Sequence, residues 1–284
     1  MKTRLTILSI LLIVAISGCK EIGPLGLDFN VPGENLFDTA YIATSADDPQ
    51  DRIVLLEEFT GVKCVNCPTA HAKSEEIIGN SSGRAIGVAI HSGVFAVKYS
   101  GISQHDFKIN EGEAIEAMIN DNIGYPYGMV NRKGFPVDVT YGLTLWETLV
   151  DDELLIGTDV NMYLTSSVVN NNLTVRVELH YIKDITEDNY ISVMILEDGI
   201  IDPQLGFGGV DTFYVHNNVL RDMLTPFNGF KIQHSQVAGR IIIQEFFLGN
   251  IPAEWSQANC RIIAFVNQFT NDFEVLQAIQ KPFN

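Results

Sequence analysis

Two periodicities divide the chain. From 51 to about 153, short apolar runs alternate with segments whose apolar positions recur every three or four residues. Residues 53–59 (Ile-Val-Leu-Leu-Glu-Glu-Phe) and 84–90 read as strands, the second nearly uncharged. Residues 68–78 are helical in composition, and 111–120 place Ala114, Ile115, Met118 and Ile119 on one helical face. Residues 127–131 read as a third strand, and 143–155 as a helix with Leu145, Leu149 and Val150 on one stripe. The segment 92–112 interrupts this alternation as an insertion, a candidate lid or partner surface. Strands alternating with helices predict an α/β layered domain over 51–155.

After Gly157 the period falls to two. Residues 159–169 and 173–183 alternate polar and apolar positions about Asn170-Asn171-Asn172, the pattern of a β-hairpin. Residues 189–197, 240–248, 261–269 and 273–279 are further strand candidates. Together they predict an all-β second domain, an antiparallel β-sandwich over 156–284. The segment 202–235 carries Gly206, Gly208, Gly209, His216 and Pro226 without a sustained period, and reads as a long excursion with a short helix near 219–224.

The N-terminus is of a different kind. Lys2 and Arg4 precede an apolar run over 5–16 whose polar members are only Thr6 and Ser9; Ser17 and Gly18 follow, then Cys19. Charge, apolar core and small-residue cleavage site make 1–18 an export signal, too short for a spanning anchor. Ile16-Ser17-Gly18-Cys19 resembles the bacterial lipobox, which implies cleavage before Cys19 and its lipidation. Each buried acyl CH₂ then holds the protein to a membrane by about 0.8 kcal/mol. Residues 19–50, with Gly23, Pro24, Gly26, Pro32, Gly33 and Pro49, read as the lipidated tether. Asp38-Thr39-Ala40 resembles an O-glycosylation acceptor, but an ordinary linker triplet is the favoured reading.

Composition narrows the function. With 46% hydrophobic residues the chain is too apolar for disorder, and a formal charge of −17 argues against nucleic acid or polybasic membrane binding. Four cysteines are too few for a disulfide scaffold. The chemical signal is Cys64-Val65-Asn66-Cys67, between a strand and a helix. A thiolate there faces unsatisfied N–H groups and the positive end of the helix dipole, and Lys63 adds a charge; all favour the reactive S⁻ form. Cys64 is the more exposed, attacking sulfur and Cys67 the resolving one. Pro68 suits an early helical position.

Strand, short loop, CxxC and helix resemble the opening of the thioredoxin superfamily. The resemblance implies that Glu58, six residues before Cys64, occupies the place of a buried carboxylate that moves the resolving cysteine's proton; the family more often has Asp there, and a solvent-facing strand residue is the alternative. It also implies a cis-proline facing the cysteines, for which Tyr125-Pro126 is the candidate, with the Tyr125 backbone pairing an extended substrate. A narrower resemblance covers the mature chain. Leu56-Glu-Glu-Phe-Thr-Gly-Val-Lys-Cys-Val-Asn-Cys-Pro68 and Tyr125-Pro-Tyr-Gly-Met-Val-Asn-Arg132, with the lipobox and β-rich half, are similar to the Bacteroidetes outer-membrane lipoprotein family named for a twenty-eight-kilodalton member. This implies an outer-membrane location in the cell envelope and a thioredoxin-like domain with a sandwich appended; members are described mainly as surface antigens or adhesins.

Two functions remain. In one, a lipid-anchored thiol–disulfide oxidoreductase acts on the thiols of exported proteins through Cys64 and Cys67, with Glu58 assisting and Tyr125 and Pro126 positioning substrate. In the other, a non-enzymatic surface protein binds a protein or glycan, and Cys64–Cys67 is a structural disulfide. No cofactor is implied. Metal is the weakest reading of the cysteines, since only one CxxC exists and His71 is the sole nearby third ligand. His91 and His105 are candidates for proton transfer but read more simply as loop residues. Cys260 reads as a buried thiol, and Asp184, Glu187 and Asp188 as a solvated acidic turn rather than a calcium site.

Overall fold

The computed structural model describes residues 35–119, 124–134, 138–269 and 273–283. The signal 1–18 and Cys19 lie outside the described residues. The first elements in chain order are β1 (Asn35–Ile42), β2 (Val54–Thr60), α1 (Cys67–Asn80), β3 (Ala85–His91), α2 (Asn110–Ile119), β4 (Tyr127–Val130) and α3 (Leu143–Leu154). Then follow β5 (Val160–Val169), β6 (Asn172–Tyr181), β7 (Asn189–Glu197), β8 (Ile200–Ile201), β9 (Gln204–Gly206), β10 (Gly209–Asp211) and β11 (Val215–His216). The last are β12 (Val219–Met223), β13 (Phe230–Lys231), β14 (Arg240–Leu248), β15 (Cys260–Gln268) and β16 (Val275–Pro282).

β2 and β3 pair in parallel, with α1 between them in sequence. Every residue of both strands is buried, as expected of apolar strands covered on both faces. Alternation along β2 sends Val54 and Leu56 to a core shared with Ala70 and Ile77 of α1 and Trp146 and Val150 of α3. Leu55 and Phe59 go to the opposite core, with Ile115 and Ile119 of α2. β4 runs antiparallel on the other side of β2. Leu145, expected in the buried stripe of α3, is exposed; Trp146 takes its place.

Where two separate domains are expected, one sheet runs through both halves. Its order is β16-β15-β7-β12-β3-β2-β4, with β13 also on β7. The join is β12. It pairs in parallel with β3, through Val219 opposite Ala89, and antiparallel with β7. The helix expected near 219–224 is therefore a strand: the residues Val-Leu-Arg-Asp-Met tolerate helix, but pairing on both sides overrides local propensity. The second sheet, β1-β14-β6-β5, is antiparallel throughout, and β6 alternates buried and half-buried positions as its pattern predicts. Its inner face meets Val193 and Ile195 of β7 and Ile262, Ala264 and Val266 of β15 in one core. Met194, Leu196, Ile263 and Phe265, on the other face of the same two strands, belong to the core under α2. The expected tether over 19–50 is corrected at 35–42, an edge strand whose partner, β14, lies some two hundred residues away, while 19–34 lie outside the described residues.

Candidate functional site

β2 ends at Thr60, and the turn that follows carries Cys64 to the mouth of α1, whose first residue is Cys67. Cys64 N–H donates to Gly61 O at 2.9 Å and Cys67 N–H to Cys64 O at 3.3 Å. The sulfurs are joined in a disulfide with Cα atoms 5.4 Å apart. No acidic residue occupies the first turn of α1, so its positive end is left uncompensated from within the helix. Asn66 makes no side-chain cap, and Pro68 stands in the first turn.

The loop is held from two sides. Lys63 N–H donates to Phe95 O at 2.9 Å, in the single turn Val94–Ala96. Gly61 has to be glycine: a Cβ there would lie 2.4 Å from the Phe95 carbonyl carbon. From the opposite side Leu205 N–H donates to Val62 O at 2.8 Å, and Gln204 Nε2 donates to Gly61 O at 3.3 Å and Cys64 O at 3.1 Å. Cys64 is consequently 3% exposed and Cys67 0%. The expected accessible sulfur is the more exposed of the two only by that margin, because strand β9 crosses the loop.

On the strand that leads into the cysteine loop, Glu58 is buried and lies on the α1 face of β2, not in solvent. Burial, reinforced by the charge of Glu75, pushes its carboxyl up to about 8. Its Oε2 meets no hydrogen-bond partner among the described residues. His71, one turn after Cys67, brings Nε2 to 3.7 Å from Glu58 Oε1 and 2.7 Å from Thr60 Oγ1, while its Nδ1 meets Tyr214 OH at 2.8 Å. Burial, and then the neighbouring His216, lowers His71 to about 3. At neutral pH the Glu58–His71 approach is thus between two uncharged groups, not an ion pair. Both His71 nitrogens are engaged away from the sulfurs, and no group of three or more His, Cys, Asp or Glu among the described residues is placed to hold a metal.

His216 Nε2–H donates to the Asp202 carbonyl oxygen at 3.2 Å, and burial lowers the imidazole to about 4. His91 is buried, meets no hydrogen-bond partner on either ring nitrogen among the described residues, and is held well below its usual range, first by burial and then by the neighbouring His216 and His71. The Phe107 ring, from the insertion, packs against both, 4.8 Å from His91 and 4.7 Å from His216, and the two imidazoles meet edge-on at 5.8 Å. His91 is thus a core residue, whereas half-buried His105 stacks outside on Phe107 at 6.0 Å.

The Tyr125–Pro126 bond is cis. It leads into β4, whose Tyr127 is paired with Phe59, at the end of β2 from which the cysteine loop departs. Tyr125 OH contacts Ser92 Oγ at 3.0 Å and donates to Glu116, which also accepts from Tyr127 OH at 2.9 Å. Burial and the Glu116 hydrogen bond raise the Tyr125 phenol. A Cβ on Gly93 would lie 2.8 Å from the Tyr125 hydroxyl, and the Phe95 and Tyr125 rings lie 5.4 Å apart. The start of the insertion is therefore a wedge touching both the cysteine loop and the tyrosine before the cis bond.

Glu57 turns to the other face, where Arg132 donates to it twice, at 2.7 and 2.6 Å; both are fully buried, and the guanidinium lies 4.9 Å from the Phe265 ring centroid. Sequence reasoning missed this pair, although both residues fall in the two segments it singled out. It also missed Gln204, Tyr214 and His216, whose only local signal is the glycine-dense turn about Gly206 and Gly208.

Residues 113–284 match the family described as outer membrane protein Omp28. No curated protein matches the chain. Among solved structures, HBP35 of Porphyromonas gingivalis is similar with a TM-score of 0.61 at 16% identity, over 82% of this chain and 75% of that one. A protein from Agrobacterium tumefaciens gives 0.49 at 14% identity, over 83% and 96%. A domain of the outer membrane lipoprotein Omp28 from Porphyromonas gingivalis gives 0.33 at 16% identity, over 45% and 89%.

Proposed function

Starting from the fact that this chain belongs to the Omp28 outer membrane protein family, we propose that it is a lipoprotein held by Cys19 that performs thiol–disulfide exchange on exported proteins. Cys64 takes the attack, Cys67 leaves, Glu58 supplies the proton, and Tyr125 and Pro126 border the substrate. The observation that carries this reading is a Cys64–Cys67 disulfide at the mouth of α1 with a carboxyl, Glu58, buried on the strand that leads into the cysteine loop. A structural disulfide needs no such acid, and a buried carboxyl without a partner on one oxygen costs stability. The fold assignment is thioredoxin-like, supported by strand order β3-β2-β4, helices α1 and α3 on one face with α2 on the other, and the cis bond before β4. A β-sandwich is appended, supported by the core between the four-stranded sheet and β7 and β15.

One observation favours a second reading. Both cysteines are enclosed, with Gln204 stapled to the loop, which suits a non-enzymatic surface protein that binds a protein or glycan and keeps the disulfide as a brace. Redox titration of the folded protein, with mixed-disulfide trapping by a Cys67→Ser variant, separates the two. Exchange predicts a bond that equilibrates with glutathione and partners captured on Cys64. A bond that stays oxidised until the protein unfolds, with ligand binding kept in a Cys64→Ala, Cys67→Ala double variant, establishes the second reading instead.

A further inference from the structure

Resting on the exchange reading, we propose that His71 and Tyr214 form the path along which Glu58 exchanges its proton with solvent. Glu58 has no outlet of its own: it is 3% exposed, and one carboxyl oxygen touches no donor or acceptor. An acid that gives up a proton in each cycle has to be recharged. Among the described residues, His71 is the side chain placed to do so. Its Nε2 stands between Thr60 Oγ1 at 2.7 Å and Glu58 Oε1 at 3.7 Å, and its Nδ1 meets Tyr214 OH at 2.8 Å. A side-chain shift of about 1 Å brings Oε1 and Nε2 to hydrogen-bond distance. Tyr214 is half-buried and lines an open cavity of about 370 Å³ with Pro68, Gln204 and Asp211, so the chain of groups ends at water. The titratable groups around the ring are Glu58 from β2, Glu75 from α1, His91 from β3, and Asp211, Tyr214 and His216 from the 200–216 excursion.

The chemistry balances with a dithiol as reductant. A substrate thiolate attacks Cys64 Sγ, the Cys64–Cys67 bond breaks, and Cys67 departs as thiolate and takes the Glu58 proton. The second substrate thiol gives its proton to solvent and attacks the substrate sulfur of the mixed disulfide. Cys64 is released as thiolate and protonated from solvent; two electrons have passed from the dithiol, now a disulfide, to the cysteines. Glu58 regains its proton from His71 Nε2 as Nδ1 takes one from Tyr214 and the phenolate takes one from water. The ring changes tautomer without becoming charged, which suits a buried imidazole; reoxidation of the two cysteines by an external disulfide, itself reduced to two thiols, returns the Cys67 proton through Glu58 and the same path and resets the ring.

The test is the steady-state rate at which catalytic amounts of the intact folded protein carry electrons from dithiothreitol to oxidised glutathione in H₂O and D₂O, with the uncatalysed exchange subtracted, so that Glu58 must be recharged in every cycle. His71→Gln is expected to slow turnover at pH 7 by about a hundredfold, at the lower end of what lost acid–base assistance costs, and Tyr214→Phe to slow it less. Both raise the solvent isotope effect, and added imidazole restores His71→Ala. Wild-type rates in His71→Gln, or a slow His71→Ala that ignores imidazole and keeps the wild-type isotope effect, overturn the path while leaving exchange intact. A folded wild-type protein that dithiothreitol cannot reduce overturns the exchange reading, and the path with it.

Discussion

On β2, Glu57 and Glu58 turn to opposite faces of the sheet and meet different solutions to burial. Glu57 is matched by the two-pronged Arg132, and taking away one member of such a pair leaves a bare buried charge, a loss of about 3–5 kcal/mol. Glu58 has no cation and stays protonated instead, which ties stability to pH. Its carboxyl ionises near 4.5 in the unfolded chain but at about 8 in the folded protein. The folded state therefore holds an extra proton in between, so this group's contribution is full below 4.5 and is lost as pH rises toward 8. His71, at about 3, and His216, at about 4, act in the opposite sense, and so does His91. Neutral when folded, they gain protons below 6.5 once unfolded, and stability falls as pH drops through that range. The melting temperature is expected to be highest near pH 6.5, and Glu58→Gln to remove the decline between about 6.5 and 8 while steepening the decline below 6.5, where Glu58 opposes the histidines. An unchanged alkaline slope in Glu58→Gln, read by circular dichroism melts, would refute this account of the carboxyl.

At the scale of elements, the cysteine loop is a junction between β2, the 94–96 turn and β9. Gly61 is its tightest point. In Gly61→Ala the new methyl meets the Phe95 carbonyl carbon and the Ala96 nitrogen, backbone atoms that cannot swing away. Overpacking of this kind costs about 1–3 kcal/mol. Thermal melts should show a matching drop of about 2–4 °C per kcal/mol, and the accessibility of Cys64 to thiols should change with it. A melt at the wild-type temperature would mean that the turn yields freely. Elements with a strong internal period were legible in the sequence: the three helices, the buried strands β2 and β3, and the β5–β6 hairpin, where Asn170 and Asn171 adopt φ of 51° and 62° as a tight turn demands. β1 and β12 were not legible, because each is stabilised by pairing with strands far along the chain. The site divides in the same way. Cys64, Cys67, Glu58 and Pro126 stand at fixed offsets in two short segments, whereas Gln204, Tyr214 and His216 reach it through tertiary folding of a loop without a pattern.

At the scale of the molecule, β7 and β15 face two cores at once, one residue to each in alternation. The halves divided at 155/156 by the change of period are therefore joined by shared strands, not merely by a linker. Residues 51–155 alone would lose Met194, Leu196, Ile263 and Phe265 from the core under α2 and leave β3 with an open edge. Each such side chain contributes about 1.5–3 kcal/mol when fully buried. Four of them, about 6–12 kcal/mol together, are comparable with the roughly 5–15 kcal/mol by which a whole domain is stable. Arg132 would also lose the Phe265 ring against which its guanidinium lies. Neither fragment divided at 155/156 is expected to melt cooperatively on its own, while the intact chain should unfold in one calorimetric transition with the amides of β3, β7 and β12 exchanging together. A 51–155 fragment with a sharp transition of its own, or separate exchange of β3 and β7 in the whole protein, would show that the cores are independent after all.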